Sequence, residues 1–140
     1  MEIYIIRKLN ENDYEEYLEL INNFRETTFC KKDFLEILST IQNNSDIWVI
    51  EINKKLIACG TILYELKFIH NLCKLGHIED VCVSSSYRGK NYGTILLNHL
   101  VEECHKKNCY KITLYCDEKL ENFYKKIGFE KKNIEMNIYT

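Results

Sequence analysis

The stretch from Val81 to Leu97, VCVSSSYRGKNYGTILL, constrains this chain more than any other. An apolar run suited to a buried strand enters a polar turn. A loop holding Gly89 and Gly93 follows, then an amphipathic helix with a stripe of Leu96, Leu97, Leu100, Val101 and Cys104. Such a loop aims several backbone N–H groups at one point, and the helix N-terminus adds its dipole. Together they can hold a diphosphate. The glycines remove side chains that would block its approach, and Arg88 puts a guanidinium beside the loop. A strand–loop–helix of this kind also serves as a plain structural turn, so spacing alone does not fix a function.

The rest of the chain narrows the choices. Its 140 residues, 46% apolar, suit one domain spanning 1–140 with one sizeable core. Proline is absent, so turns rest on Gly, Asn, Asp and Ser. A net charge of -2 lacks the basic face of a general nucleic-acid binder, so an anionic ligand must meet a local positive cluster. No apolar run reaches membrane-spanning length, and MEIYIIRKLNEND turns acidic before a signal-peptide core could form. Seven cysteines at scattered spacings fit free thiols in a reducing compartment, so a cytoplasmic location is expected. His70, Cys73, His77 and Cys82 lack a Cys-x-x-Cys pair, as do Cys104, His105 and Cys109, and no metal site is expected. Cys116 has no evident base in sequence for a covalent acyl-cysteine route.

Hydrophobic periodicity predicts the elements. EIYIIR (Glu2 to Arg7) reads as a strand. Asn12 is a helix N-cap, with Glu15 completing a capping box and Tyr14, Tyr17, Leu18, Ile21 and Phe24 at helical spacing. A second helix covers Lys32 to Gln42. Ile47 to Ile52 and Leu56 to Leu66 are strands joined by a hairpin at Asn53-Lys54-Lys55. Lys67 to Gly76 is less regular, and His77 to Ser84 is a strand. After the helix opened by Gly93 come a strand (Cys109 to Cys116), a helix (Glu118 to Ile127, ended by Gly128) and a last strand (Ile134 to Tyr139). The order predicts an α/β fold of the α+β type, a mixed sheet with helices on both faces.

Arg88-Gly89-Lys90-Asn91-Tyr92-Gly93 resembles the acetyl-CoA pyrophosphate loop of the GNAT acetyltransferase superfamily. Arg88 and Gly93 fit its pattern; Asn91 stands where glycine is usual, and Asn is the residue besides glycine best able to take a positive φ. KFIHNLCKLGHIEDVCV (Lys67 to Val83), CYKITLYCDEKLENFYKKIGF (Cys109 to Phe129) and IEMNIY narrow the resemblance to glucosamine-phosphate N-acetyltransferase. The likeness spans nearly the whole chain. It implies the GNAT fold, with its splayed strand pair. It also implies acetyl transfer from acetyl-CoA to glucosamine 6-phosphate, feeding UDP-N-acetylglucosamine supply, in a homodimer.

Residue roles implied by the resemblance follow. The backbone of Val81, Cys82 and Val83 pairs with the pantetheine arm as an added strand would. Gly89, Lys90, Asn91, Tyr92, Gly93 and Thr94, with Arg88, take the pyrophosphate; Tyr115, Asn122 and Tyr124 complete the cofactor contacts. Glu79, Asp80 and Val81 hold the sugar and its amine. Lys67, Phe68, Ile69 and His70 meet the sugar phosphate, and Tyr110 and Lys111 reach the substrate from the partner subunit.

Physical chemistry agrees with these roles. A phosphomonoester carries nearly two negative charges, for which Lys67, His70 and Lys111 are counter-charges. The attacking amine must be neutral, and Glu79, Asp80 or a backbone carbonyl, directly or through water, can accept its proton. Tyr124 faces the departing sulfur; a phenol near pKa 10 beside a thiol near about 8.5 need only hydrogen-bond the thiolate. Tyr124 could equally be a core aromatic, since it shares a face with Phe123 and Ile127.

Three positions depart from the family pattern. Tyr115 stands where many members carry an acid, Tyr139 stands near where an Arg often meets the phosphate, and Phe24 replaces a Thr contact. Arg25 or Lys67 is expected to supply the missing charge. Two other readings stay open: a GNAT enzyme for a peptide lysine or polyamine, and a non-catalytic acyl-CoA-binding module.

Overall fold

The computed structural model describes residues 2–140. One sheet runs in the order β1-β2-β3-β4-β5: β1 (Ile5–Lys8), β2 (Ser45–Ile52), β3 (Lys55–Leu66), β4 (Lys74–Val83) and β5 (Lys111–Thr113). The first three pairings are antiparallel and the last is parallel, so the sheet is mixed as expected. Neighbouring residues of β2 and β3 face opposite sides, and both sides are covered. On one side α1 (Tyr14–Ile21) and α2 (Lys31–Ile41) enclose Leu20, Phe34, Leu38, Val49, Cys59 and Cys82. On the other, α4 (Tyr92–Lys106) lays Leu96, Leu97, Leu100 and Cys104 on Ile50, Ile62 and Ile78, with α5 (Glu121–Ile127) beside it. Leu96, Leu97 and Leu100 are fully buried, each contributing about 1.5–3 kcal/mol of apolar transfer.

Several boundaries differ from expectation, each for a local reason. The first strand begins at Ile5, where its ladder with Glu51 begins. The Asn12–Glu15 capping box does not form. Asp13 is the N-cap, and its side chain makes no cap bond. Its carboxylate is taken by the Arg7 guanidinium at 2.8 and 2.9 Å and by Asn10 N–H at 2.8 Å. α1 ends at Ile21, leaving Phe24 outside it. The hairpin turn is Asn53-Lys54, both at positive φ (48° and 64°), as a two-residue type I′ turn requires.

β4 starts at Lys74, earlier than expected. β5 is confined to three residues because its ladder with β4 runs only from Leu75↔Lys111 to His77↔Thr113. A 3-10 turn, Glu118–Leu120, precedes α5. The expected terminal strand is absent. Ile134, Met136, Ile138 and Tyr139 are 88–92% exposed, and among the described residues no strand pairs with them. Their alternation suits a strand, but a strand needs a neighbour to satisfy its backbone.

Candidate active site

β4 organises the site. It leaves β5 after His77↔Thr113 and runs on to Val83, so the outer edge of residues 78–83 has no strand partner. This is the splay expected from the resemblance. On its inner edge β4 carries a bulge. Cys59 pairs with Cys82 and Thr61 with Glu79, which sets Asp80 and Val81 together against Gly60. Asp80 occupies the left-handed region (φ 51°). Gly60 permits the close approach: a Cβ there would lie 2.8 Å from Leu100 Cδ1 and 3.6 Å from Val81 Cγ2. The Cys59 thiol donates to the Asp80 carbonyl at 3.9 Å. The exposed carboxylates of Glu79 and Asp80 thus stand beside an open strand edge.

Past Val83 the chain makes a 3-10 turn, Ser85–Tyr87, and enters the loop. Gly89 and Asn91 both have φ 74°, so Asn91 does adopt the left-handed conformation usually given to glycine. A Cβ on Gly89 would meet nothing within 4 Å, leaving its backbone open to a ligand. No side chain caps α4, and its first amides, Tyr92, Gly93 and Thr94, are available to an anion. Gly93 lets α5 pack on this opening turn, since its Cβ would lie 3.4 Å from Phe123 Cζ. The Arg88 guanidinium donates to Val83 O (3.0 Å) and Asn23 O (3.3 Å), tying the loop to β4 and to the end of α1. Lys90 extends over the Tyr87 ring at 5.4 Å. Tyr92 and Cys82 bury their side chains, so only their main chains can meet a ligand.

Tyr124 projects from α5, edge-on to Phe123 (5.0 Å) and Phe129 (6.0 Å). It is both a core aromatic at its ring and a polar group at its tip. Burial, and then the nearby Cys116, push its phenol above its ordinary value, so it remains a proton donor at neutral pH. Partial desolvation, then Asp80 and Glu135, raise the Glu79 carboxyl, with His77 opposing. A carboxylate so raised is a better proton acceptor. Tyr115 and Asn122 are exposed.

The groups expected at the sugar phosphate form a second surface. Lys67 Nζ lies 3.9 Å from Glu65, which His77 meets at 3.0 Å. Phe68 and Ile69 are exposed. The turn α3 (Ile69–Leu72) is left-handed: His70, Asn71 and Leu72 have φ of 50°, 58° and 65°. Leu72 N–H and Cys73 N–H close it onto Phe68 O and Ile69 O. Three such residues outside glycine store strain, a feature that concentrates at functional sites. The turn stacks His70 on Tyr110, 4.4 Å apart and 20° from parallel. Tyr110 N–H is fixed by Lys74 O at 2.8 Å, and Lys111 opens β5. Arg25 makes no hydrogen bond or ion pair with this group among the described residues. Its guanidinium folds over Phe24 at 4.6 Å and donates to Phe24 O.

Sequence reasoning missed Asn23 and the bulge. Asn23 Oδ1 accepts from Ser85 N–H at 3.1 Å, a contact 62 residues apart in sequence with no local signal. Gly60 inside an apolar strand was the available sign of the bulge. Among the described residues, no group of three or more His, Cys, Asp or Glu is gathered as a metal site, and no helix is long and apolar enough to cross a membrane.

A half-open sheet edge, a glycine-bearing loop and an uncapped helix start form the frame of an N-acyltransferase that takes an acyl-CoA. The model of the GNAT acetyltransferase family matches residues 5–129. Glucosamine 6-phosphate N-acetyltransferase 1 of Dictyostelium discoideum is 38% identical over 139 residues, covering 95% of this chain and 88% of its own. The crystal structure of glucosamine-6-phosphate N-acetyltransferase from Arabidopsis thaliana superposes with a TM-score of 0.94 at 34% identity, covering 99% of each chain. A Trypanosoma brucei acetyltransferase structure also gives 0.94, at 28% identity, covering 99% of this chain and 100% of its own. The chain belongs to the GNAT acetyltransferase family and, within it, to the glucosamine 6-phosphate N-acetyltransferases.

Proposed function

We propose that the protein transfers acetyl from acetyl-CoA to the amine of D-glucosamine 6-phosphate, giving N-acetyl-D-glucosamine 6-phosphate and CoA by direct transfer in a ternary complex. One observation carries the reading. The chain matches enzymes of that name nearly end to end, and its open β4 edge adjoins the glycine-bearing loop. Acetyl-CoA supplies an activated thioester. The amides of Gly89 to Thr94 take its diphosphate, and the free edge of Val81 to Val83 takes its amide-bearing arm. Glu79 accepts the amine proton, directly or through water. Tyr124 donates a hydrogen bond to the departing sulfur. Holding amine and thioester together supplies further rate, worth up to roughly 7–11 kcal/mol.

The homodimer belongs to the same proposal. Ile134, Met136, Ile138 and Tyr139 form an exposed, strand-like segment with no ladder, and a second copy would supply one. Tyr110 and Lys111 then serve the partner's site. Free cysteines in the structure support a cytoplasmic location.

A CoA-release assay with glucosamine 6-phosphate, and glucosamine as comparison, tests the function. Turnover that prefers the phosphorylated sugar is expected; preference for a peptide lysine or polyamine would overturn it. Loss of one charge-assisted contact at Lys67→Ala or Arg25→Ala should raise KM for the sugar phosphate about 10- to 100-fold. Unchanged KM in both variants rejects these two as the phosphate's counter-charges.

A further inference from the structure

Behind the β4 bulge two thiols face one another. Cys59 of β3 and Cys82 of β4 are direct antiparallel partners, and both side chains enter the core under α1 and α2. Ser84 N–H donates to Ile57 O at 2.8 Å. Two residues further along the same ladder, Cys59 and Cys82 therefore form a pair of the hydrogen-bonded kind, with Cα atoms about 5.5 Å apart. A disulfide spans roughly 4.4–6.8 Å between Cα atoms. Each thiol also holds a carbonyl: Cys59 that of Asp80 at 3.9 Å, and Cys82 that of Leu20, near the end of α1, at 3.6 Å.

We propose that Cys59 and Cys82 form a peroxide-sensitive dithiol whose oxidation to a disulfide reversibly shuts the transferase off. The two sulfurs are unequal. The neighbouring Cys59 thiol, aided by the Arg88 charge and opposed by burial, holds the Cys82 thiol below its usual range, while Cys59 is pushed well above it. Cys82 is thus the attacking thiolate. Its sulfur bonds one peroxide oxygen, the O–O bond breaks, and hydroxide leaves as water after taking a proton. The Cys59 sulfur then attacks the sulfenic sulfur, the S–S bond forms, and a second water departs. Two thiols are oxidised and one peroxide is reduced. Both sulfurs are buried, so reaction follows opening of α1, an eight-residue helix.

The Cβ atoms of a hydrogen-bonded pair lie about 5.5 Å apart and must come to roughly 3.5–4.5 Å in a disulfide, which draws β3 and β4 together by about an ångström at the bulge. The hydrogen bonds to Asp80 O and Leu20 O are lost with it. Misplacement of that order costs about 10- to 100-fold in rate.

The test rests on the proposed activity only for its rate readout. Purified protein is treated with hydrogen peroxide, desalted and assayed for CoA release. A fall in kcat/KM of about 10- to 100-fold, restored by dithiothreitol, is expected. Intact mass should drop by two hydrogens, and a non-reducing peptide map should join Cys59 to Cys82. Cys59→Ser, which keeps a donor for Asp80 O but cannot form a disulfide, should keep the basal rate and resist peroxide; if that variant misfolds, the peptide map of the wild type still decides. A bridge between Cys104 and Cys109 instead, no bridge at all, or equal inactivation of the Cys59 variant overturns the proposal. The map needs no acceptor, so a failed sugar assay and a failed bridge are separate results.

Discussion

Tyr124→Phe isolates one hydroxyl. The substitution keeps the ring and its edge contacts with Phe123 and Phe129, so stability should stay within about 0.5 kcal/mol. On the proposed mechanism, what disappears is a donor to the sulfur as it takes on negative charge. A hydrogen bond to a charged group is worth about 1.5–3 kcal/mol. At about 1.36 kcal/mol per decade, kcat should fall about 10- to 150-fold. KM for acetyl-CoA should change little, because the neutral thioester takes little from the bond. The pH dependence is a second check. Burial holds the Tyr124 phenol above its ordinary value, so the proton stays in place across neutral and mildly alkaline pH. The ratio of wild-type to variant kcat should therefore be flat between about pH 6 and 9, below the ordinary phenol value near 10. Stopped thiol-release assays with saturating substrates measure it. A kcat within twofold of wild type would refute the donor role. A raised KM at constant kcat would reduce Tyr124 to a binding contact.

Other expectations follow from the same geometry. Gly60→Ala would press a Cβ to 2.8 Å from Leu100 Cδ1; overpacking costs about 1–3 kcal/mol, lowering Tm by roughly 3–12 °C, and an unchanged Tm would show that the core yields there. At Asn91, φ 74° makes Asn91→Ala about 1 kcal/mol less stable, whereas Asn91→Gly should be neutral or better; Tm and KM for acetyl-CoA measure both. Burial alone would raise the Asp13 carboxyl, but Arg7 and Asn10 N–H together bring it below its usual range. Its contribution is present above the unfolded value near about 3.9 and is lost as pH falls through the lower folded value. Urea midpoints against pH should fall more steeply in acid for wild type than for Asp13→Asn, and equal slopes would reject the pairing.

Most of the fold was legible because its signals are local. The stripe of α4, the paired apolar runs of β2 and β3, and Gly128 at φ 120° after α5 each rest on spacings within a few residues. The failures share another cause. Asn12 carried a good capping signal, but Asp13 was claimed by Arg7 across the chain reversal. Ile134 to Tyr139 had the right alternation but no strand partner among the described residues. Lys67 to Gly76 looked irregular, and three residues in it are left-handed; Asn71 and His70 tolerate that region singly, but single-residue preferences do not anticipate a run of three that includes Leu72.

The sequence by itself determined the class of most elements and the glycine-bearing loop, since periodicity and short-range spacing encode both, and its longer motifs carried the resemblance to the family. Tertiary structure alone decided that β4 parts from β5, that Asp80 bulges against Gly60, and that Cys59 meets Cys82. These are pairings between segments distant in sequence, set by which ladders close and how closely backbones can approach. No window of neighbouring residues contains that information.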